Sequence, residues 1–198
     1  MENRKIYIIK KRIILDLKLC IWKYLVLMLI VESEKRYKTF HKGTWVYYSE
    51  LKGIDIAKEL SIHTSTVSKH LSYLKASYYI DKTKFGYSTF EYIEKLFSEI
   101  SDNDSILFHN DIRLFEFCKT PEQILTSMYL WNEFYLKSRD LKKIEIYTNL
   151  PVDKKTVDNT IDYLINNETI RLWKNKVMFS ETAKKIFNDV ISGNDIKY

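Results

Sequence analysis

Cysteine, glycine and proline are scarce in this chain of 198 residues, which contains two, four and two of them respectively. Its cysteines, Cys20 and Cys118, are too few and too far apart for a disulfide framework or a C-x-x-C metal knuckle, and they predict a reducing, cytoplasmic setting. Four glycines leave no material for a glycine-rich phosphate cradle. These absences exclude most nucleotide-dependent enzymes and predict no cofactor.

Motifs for metal binding and catalysis are also missing. The four histidines show no H-E-x-x-H motif and no cluster with cysteine, so no metal site is predicted. They are His41, His63, His70 and His109. Because no catalytic motif can be assembled from the remaining residues, the sequence predicts a protein that is not an enzyme.

No apolar run is long enough to cross a membrane. Residues 19–31 are apolar except for Lys23 and would span about 20 Å as a helix, whereas the hydrocarbon core is about 30 Å thick. Glu32 and Glu34 follow directly. A buried helix is predicted, with no membrane association.

The positive charge lies in one half of the chain. Residues 1–100 contain 18 Lys and Arg against 11 Asp and Glu, and residues 101–198 contain 14 against 15. The halves therefore carry +7 and −1. This asymmetry predicts that the first half binds a polyanion and that the second has a different task.

The chain repeats itself at an offset of 90 residues. When residues 60–97 are placed over residues 150–187, ten of the 38 positions are identical, whereas chance would give about two or three. The identities include Val67 with Val157 and Ile80 with Ile170. The repeat predicts two domains, residues 1–100 and 101–198.

Both repeats have the same order of predicted elements. A short helix, a polar break and a second helix are followed by a β-hairpin and a last helix. In the first repeat Val67, Leu71 and Leu74 form the buried face of the second helix, and Ser88 or Thr89 is expected to cap the last one. Ser180 is the expected cap in the second repeat.

This order of elements is that of the winged helix-turn-helix. Residues 56–71, with the sequence IAKELSIHTSTVSKHL, resemble the DNA-binding core of that superfamily, above all its MarR and ArsR types. The resemblance implies a mainly α fold with small β-hairpin wings (α+β), built as two winged helix-turn-helix domains in tandem. Two positions depart from the family pattern, since Ser61 replaces the usual glycine and His63 replaces a frequent capping serine.

The outer face of the first repeat's second helix suits duplex DNA. It carries small hydroxyl groups and lysines, and no acidic residue lies between Ser61 and Ile80. Such side chains allow close approach to the major groove and donate to phosphates and base edges; a solvated polar face is the alternative. The candidate DNA-binding residues of this repeat are Thr64, Ser65, Thr66, Ser68, Lys69, Ser72, Tyr73, Lys75, Lys82 and Lys84.

The corresponding helix of the second repeat is more acidic. Asp162 is expected on its outer face with Asp158 beside it, and carboxylates there oppose contact with phosphate. This repeat is therefore predicted to make an auxiliary DNA contact or to serve in assembly. Its candidate DNA-binding residues are Lys154, Lys155, Asn159, Lys174 and Lys176.

Two functions remain open at this point. The first is sequence-specific binding of double-stranded DNA by a transcriptional regulator or by a plasmid or virus replication or maintenance factor. The second is a protein-protein interaction platform in chromosome or plasmid segregation, as in the condensin-associated ScpB type. Salt-sensitive binding to random duplex DNA would separate them.

A homodimer is also predicted, through an N-terminal helix that runs from Ile13 to Val31. Apolar residues occur on every side of this segment, so one stripe would be left for either the second repeat or a second copy to cover. MarR and ArsR proteins, which the chain resembles, form twofold dimers through terminal helices.

Overall fold

The chain folds into two compact units in a computed structural model, which describes residues 5–34, 38–41, 44–100 and 105–192. The N-terminal unit is Ile9–Ile106, and the C-terminal unit comprises the described parts of Met1–Ile8 and Leu107–Tyr198. Residues 5–8 join the C-terminal unit because β1 (Lys5–Lys10) pairs with β6 (Ser105–Asn110). The division thus falls six residues after the boundary predicted between residues 100 and 101.

The N-terminal unit combines short helices with two β-hairpins. Ser49 pairs with Tyr87 and so adds a third short strand beside the second hairpin. The elements are α1 (Lys11–Asp16), α2 (Ile21–Glu34), the hairpin of β2 (Lys38–His41) and β3 (Thr44–Tyr47), α3 (Gly53–Leu60), α4 (Thr64–Ala76), the hairpin of β4 (Ile80–Lys82) and β5 (Tyr87–Thr89), and α5 (Glu91–Glu99).

The C-terminal unit repeats the same winged helix-turn-helix order. Asp140 pairs with Lys176, as Ser49 does with Tyr87. The described structure is mainly helical with small antiparallel β-hairpins, which confirms the predicted α+β fold class. Its elements are a 3₁₀ turn (Ile112–Glu116), α6 (Pro121–Tyr129) with a π-helical continuation (Leu130–Tyr135), α7 (Lys143–Asn149), α8 (Lys154–Asn166), the hairpin of β7 (Ile170–Trp173) and β8 (Lys176–Phe179), and α9 (Glu181–Ser192).

The similarity between the two repeats, which lie 90 residues apart, includes the backbone turn that ends α4 and α8. Tyr78 and Glu168 both adopt a left-handed conformation, with φ of 57° and 55°. The next N–H group then donates to the carbonyl of Leu74 or Leu164, at 2.9 Å in each unit. This bonding satisfies a carbonyl at the helix end and turns the chain into the wing.

The predicted single helix from Ile13 to Val31 is wrong. Lys18 has φ of 51°, so the chain turns there and α1 is separated from α2. Leu25, Val26 and Leu27 are consecutive and all fully buried, because α2 is packed on several sides by α1, α3, α4 and β5 of its own unit. A lysine at Leu25 would therefore destabilise the N-terminal unit, so this substitution cannot test dimerisation.

The homodimer stays a prediction, but α2 argues for it less strongly, since most of its apolar residues are buried and Trp22 and Leu29 are half-buried. The mass of the protein in solution, measured by light scattering, tests it.

One predicted helix cap is wrong and one is confirmed. α5 begins after Phe90, which makes no capping hydrogen bond through its side chain, and the Thr89 hydroxyl donates instead to the Glu34 carboxylate at 2.5 Å. Ser180 does cap α9, since its Oγ accepts a hydrogen bond from the N–H of Ala183 at 3.4 Å.

Candidate nucleic-acid interface

Helix α4 begins with a histidine cap. The N–H of Ser65 donates to Nδ1 of His63 at 3.2 Å, so His63 performs the task of the serine that the related pattern often has there. Ser61 adopts the left-handed conformation, with φ of 55°, that glycine would adopt more easily. The turn between α3 and α4 is therefore formed despite both departures from the family pattern.

The outer face of α4 agrees with the predicted set of residues. Val67, Leu71 and Leu74 are buried beneath the helix. The predicted residues that are exposed on α4 and the β4–β5 hairpin are Thr64, Ser65, Ser68, Lys69, Ser72, Tyr73, Lys75, Lys82 and Lys84, whereas Thr66 is half-buried. Asp81 is also exposed on the hairpin. A face of small hydroxyl groups and lysines thus leads towards the basic hairpin.

Lys23 adds a cation beside this face that sequence analysis did not include. Its Nζ lies 3.4 Å from the centroid of the Tyr73 ring, a cation–π contact that joins α2 to α4. Burial and, secondly, the charge of Lys23 lower the pKa of His70. In the sequence, the one sign that Lys23 reaches the surface is that it interrupts an otherwise apolar run.

The hairpin of β4 and β5, called here the N-terminal wing, is shaped by Gly86. This residue has φ of 155°, and a Cβ atom on it would lie 2.0 Å from the carbonyl oxygen of Ser49. The Thr83 Oγ1 accepts hydrogen bonds from the N–H groups of Phe85 and Gly86, each at 3.2 Å. The wing therefore presents Lys84 from a hydrogen-bonded turn.

The lysines of α4 and of the N-terminal wing are not neutralised by neighbouring carboxylates in the described ranges. Lys69, Lys75, Lys82 and Lys84 form no ion pair with any residue in the described ranges. Lys84 does lie over the Phe85 ring, with 4.8 Å between Nζ and the ring centroid. Unpaired cations create a positive potential that attracts a polyanion.

Helix α8 is arranged differently. Its Asp158 was expected beside the outer face, but its Oδ1 accepts hydrogen bonds from Lys143 Nζ at 2.7 Å and Tyr147 OH at 2.8 Å, both from α7. These bonds, with Lys143 first, lower the pKa of Asp158. Asp162 is exposed, as are the predicted residues Lys154, Lys155 and Asn159.

The hairpin of β7 and β8 is called here the C-terminal wing. One of its two predicted DNA-binding lysines already has a hydrogen-bond partner within the unit. Lys176 donates to the carbonyl of Ser138 at 2.7 Å, so its charge is held against its own unit. Lys174 is exposed, and its Nζ lies 6.0 Å from the ring centroid of Trp173. The two lysines predicted together thus differ in their freedom to meet a ligand.

Metal ions and membranes are two other classes of partner that the side chains bear on. The described residues contain no group of three or more His, Cys, Asp and Glu side chains that could hold a metal ion. Among them, no helix has both the length and the apolar character needed to cross a bilayer. Cys118 is buried and contacts Ser127 Oγ at 3.2 Å, and burial raises the pKa of its thiol to about 11.

No known protein family, no curated protein and no solved structure matches this chain. The fold itself is mainly helical with small antiparallel β-hairpins, an α+β arrangement.

Proposed function

We propose that this protein binds double-stranded DNA through α4 and the N-terminal wing. The observation that carries the proposal is the exposed face of α4, where Ser65, Ser68 and Ser72 accompany Lys69 and no carboxylate is present. Serine side chains are short enough for a helix to enter the major groove closely, and lysine donates to phosphates and to base edges.

The electrostatics of the N-terminal unit support this proposal. Residues 1–100 carry a charge of +7, and the lysines of α4 and of the wing have no ion-pair partner among the described residues. Binding to DNA would release condensed counterions at each neutralised phosphate, a gain that internally paired lysines cannot supply. The biological role that fits is a transcriptional regulator or a plasmid or virus replication or maintenance factor.

A second candidate is a protein-interaction platform formed by the C-terminal unit. Ile144 and Ile165 are exposed on α7 and α8, and the Asp158 carboxylate is already paired with Lys143. An apolar and charge-balanced face suits a protein partner better than a phosphate backbone.

Titration of a random-sequence duplex at several salt concentrations tests the main proposal. Lys69→Ala and Lys84→Ala should each weaken binding and reduce the slope of log K against log salt by about one unit. Lys95→Ala is the matched control, since Lys95 lies on α5 and pairs with Glu99 at 3.7 Å. Wild-type affinity and slope in both lysine variants would reject the proposal.

A further inference from the structure

The tip of the C-terminal wing exposes a tryptophan. Trp173 is 67% exposed and its neighbour Leu172 is 44% exposed, whereas Trp131 of the same unit is 1% exposed. The Trp173 indole contacts no other aromatic ring among the described residues. A large apolar ring is usually buried because it gains more from leaving water than most side chains do, so this ring is available for a binding partner.

The turn at the tip of the C-terminal wing fixes the backbone at Trp173. Lys174 and Asn175 both have positive φ, 47° and 63°, as in the two-residue type I′ turn that suits a twisted hairpin. Trp173 pairs with Lys176 across the hairpin, and the Asn175 carbonyl accepts a hydrogen bond from the N–H of Leu141 at 2.7 Å. Little backbone entropy is therefore lost when the tip binds.

The C-terminal wing itself carries cations and no carboxylate, although the exposed Asp140 pairs with Lys176 beside it. Residues 169–180 contain Arg171, Lys174 and Lys176 and no Asp or Glu. Arg171 is exposed and forms no ion pair within the described ranges. An aromatic face flanked by cations matches a nucleobase flanked by phosphates.

The N-terminal wing shows that this arrangement is particular to the C-terminal unit. There the aromatic residue Phe85 packs against the Tyr48 ring, with 5.4 Å between the ring centroids. The position 90 residues before Trp173 is Thr83, whose hydroxyl is used inside the turn. One wing thus uses its tip for its own folding, and the other leaves an indole exposed.

We infer that Trp173 inserts into the base stack of duplex DNA, with Arg171 and Lys174 at the flanking phosphates. This inference rests on the proposed function and adds a second contact, made by the C-terminal wing instead of α8. Apolar side chains inserted between base steps are an established means of gripping the minor groove. The exposed Asp162 explains why the wing and not the helix makes the contact.

The test compares three variants on a short random-sequence duplex. Trp173→Ala should weaken binding about tenfold, because stacking on one base is lost, and Trp173→Phe should lose less. Leu15→Ala is the control, since Leu15 is 53% exposed on α1. The fluorescence measurement uses a Trp22→Phe/Trp45→Phe background, which leaves Trp131 and Trp173 as the tryptophans. In that background the fluorescence should fall when DNA binds and should not fall once Trp173→Phe is added, because Trp131 is 1% exposed.

The outcomes separate this inference from the proposed function. If Trp173→Ala binds like the wild type while Lys69→Ala does not, the inserted indole is rejected and the proposed function stands. Fluorescence quenching that persists in Trp173→Phe, or that occurs with single-stranded DNA alone, also rejects the inference. If the wild type binds no DNA, both are rejected.

Discussion

The two units have the same order of backbone elements, 90 residues apart, but they differ in whether their lysines and arginines form ion pairs. In the N-terminal unit Lys69 and Lys84 are exposed and form no ion pair with any described residue. In the C-terminal unit Lys143 lies 2.7 Å from Asp158, and Arg139 lies 2.6 Å from Glu145. A shared fold therefore leaves the charge distribution of each unit open, and more of the cations around α7 and α8 are paired than around α4.

The two wings are also anchored by different chemistry at equivalent positions. In the N-terminal unit Thr89 donates its N–H and its hydroxyl to the buried carboxylate of Glu34. The equivalent residue of the C-terminal unit is Phe179, which packs edge to face against Trp131 with 5.0 Å between centroids and also contacts Phe187. One wing depends on a polar anchor and the other on an aromatic cluster.

The largest expected effect comes from breaking the aromatic anchor. Trp131→Ala should lower the free energy of unfolding of the C-terminal unit by about 3–5 kcal/mol, because it leaves a large cavity beside Phe179. Trp173→Ala is the matched control in the same unit and should change stability by less than about 0.5 kcal/mol. Urea unfolding measures both, and equal destabilisation would contradict the assignment of the anchor.

The polar anchor should make the N-terminal unit sensitive to pH. Burial raises the pKa of Glu34 from 4.5 to about 7, with Glu94 adding to the increase. The folded state then holds a proton that the unfolded state has already released, so stability is complete below pH 4.5 and falls as the pH rises to about 7. The loss over that interval should be about 3 kcal/mol.

Glu34→Gln tests this dependence, because the neutral amide cannot titrate. The difference in unfolding free energy between pH 4.5 and pH 7 should shrink in this variant and should be unchanged in Glu99→Gln, whose carboxylate is exposed. An unchanged pH dependence in Glu34→Gln would refute the buried carboxylate as its source.

A smaller effect on stability is expected at the turn of the N-terminal wing. Gly86→Ala should cost about 2 kcal/mol, since its φ of 155° disfavours any side chain and the new Cβ would meet the Ser49 carbonyl. The C-terminal wing turns without glycine, through Lys174 and Asn175. Gly53→Ala is the control, because a Cβ there would be 3.7 Å from Leu71, an ordinary contact. Thermal unfolding compares them, and equal melting temperatures would contradict the strained turn.

The smallest expected effect concerns the charge of α8. Asp162→Lys should strengthen nonspecific DNA binding slightly and steepen its salt dependence by about one unit if this helix lies near the duplex. Glu116→Lys makes the same charge change on the 3₁₀ turn and is the control, since Glu116 is also exposed. Identical binding by the two variants would favour a protein partner for the face of α8.

Local patterns in the sequence predicted the main elements of both units. The short helix predicted before the polar break of the first repeat corresponds to α3 (Gly53–Leu60), and the residues expected beneath α4, Val67, Leu71 and Leu74, are buried. Helical periodicity, hairpin turns and the cap at Ser180 depend on residues a few positions apart, so they can be recognised without the fold. The exposed lysines of α4 follow from the same periodicity.

Only the tertiary structure decided which partners the polar residues take. Thr89 meets Glu34 across 55 positions of the chain, and Asp158 meets Lys143 across 15. The break at Lys18 likewise follows from the packing of α2 among its neighbours, and no glycine or proline marks it. Burial and hydrogen bonding depend on which residues lie close in space. The period of a helix shows which of its faces is buried, but it does not show which residues pack against that face.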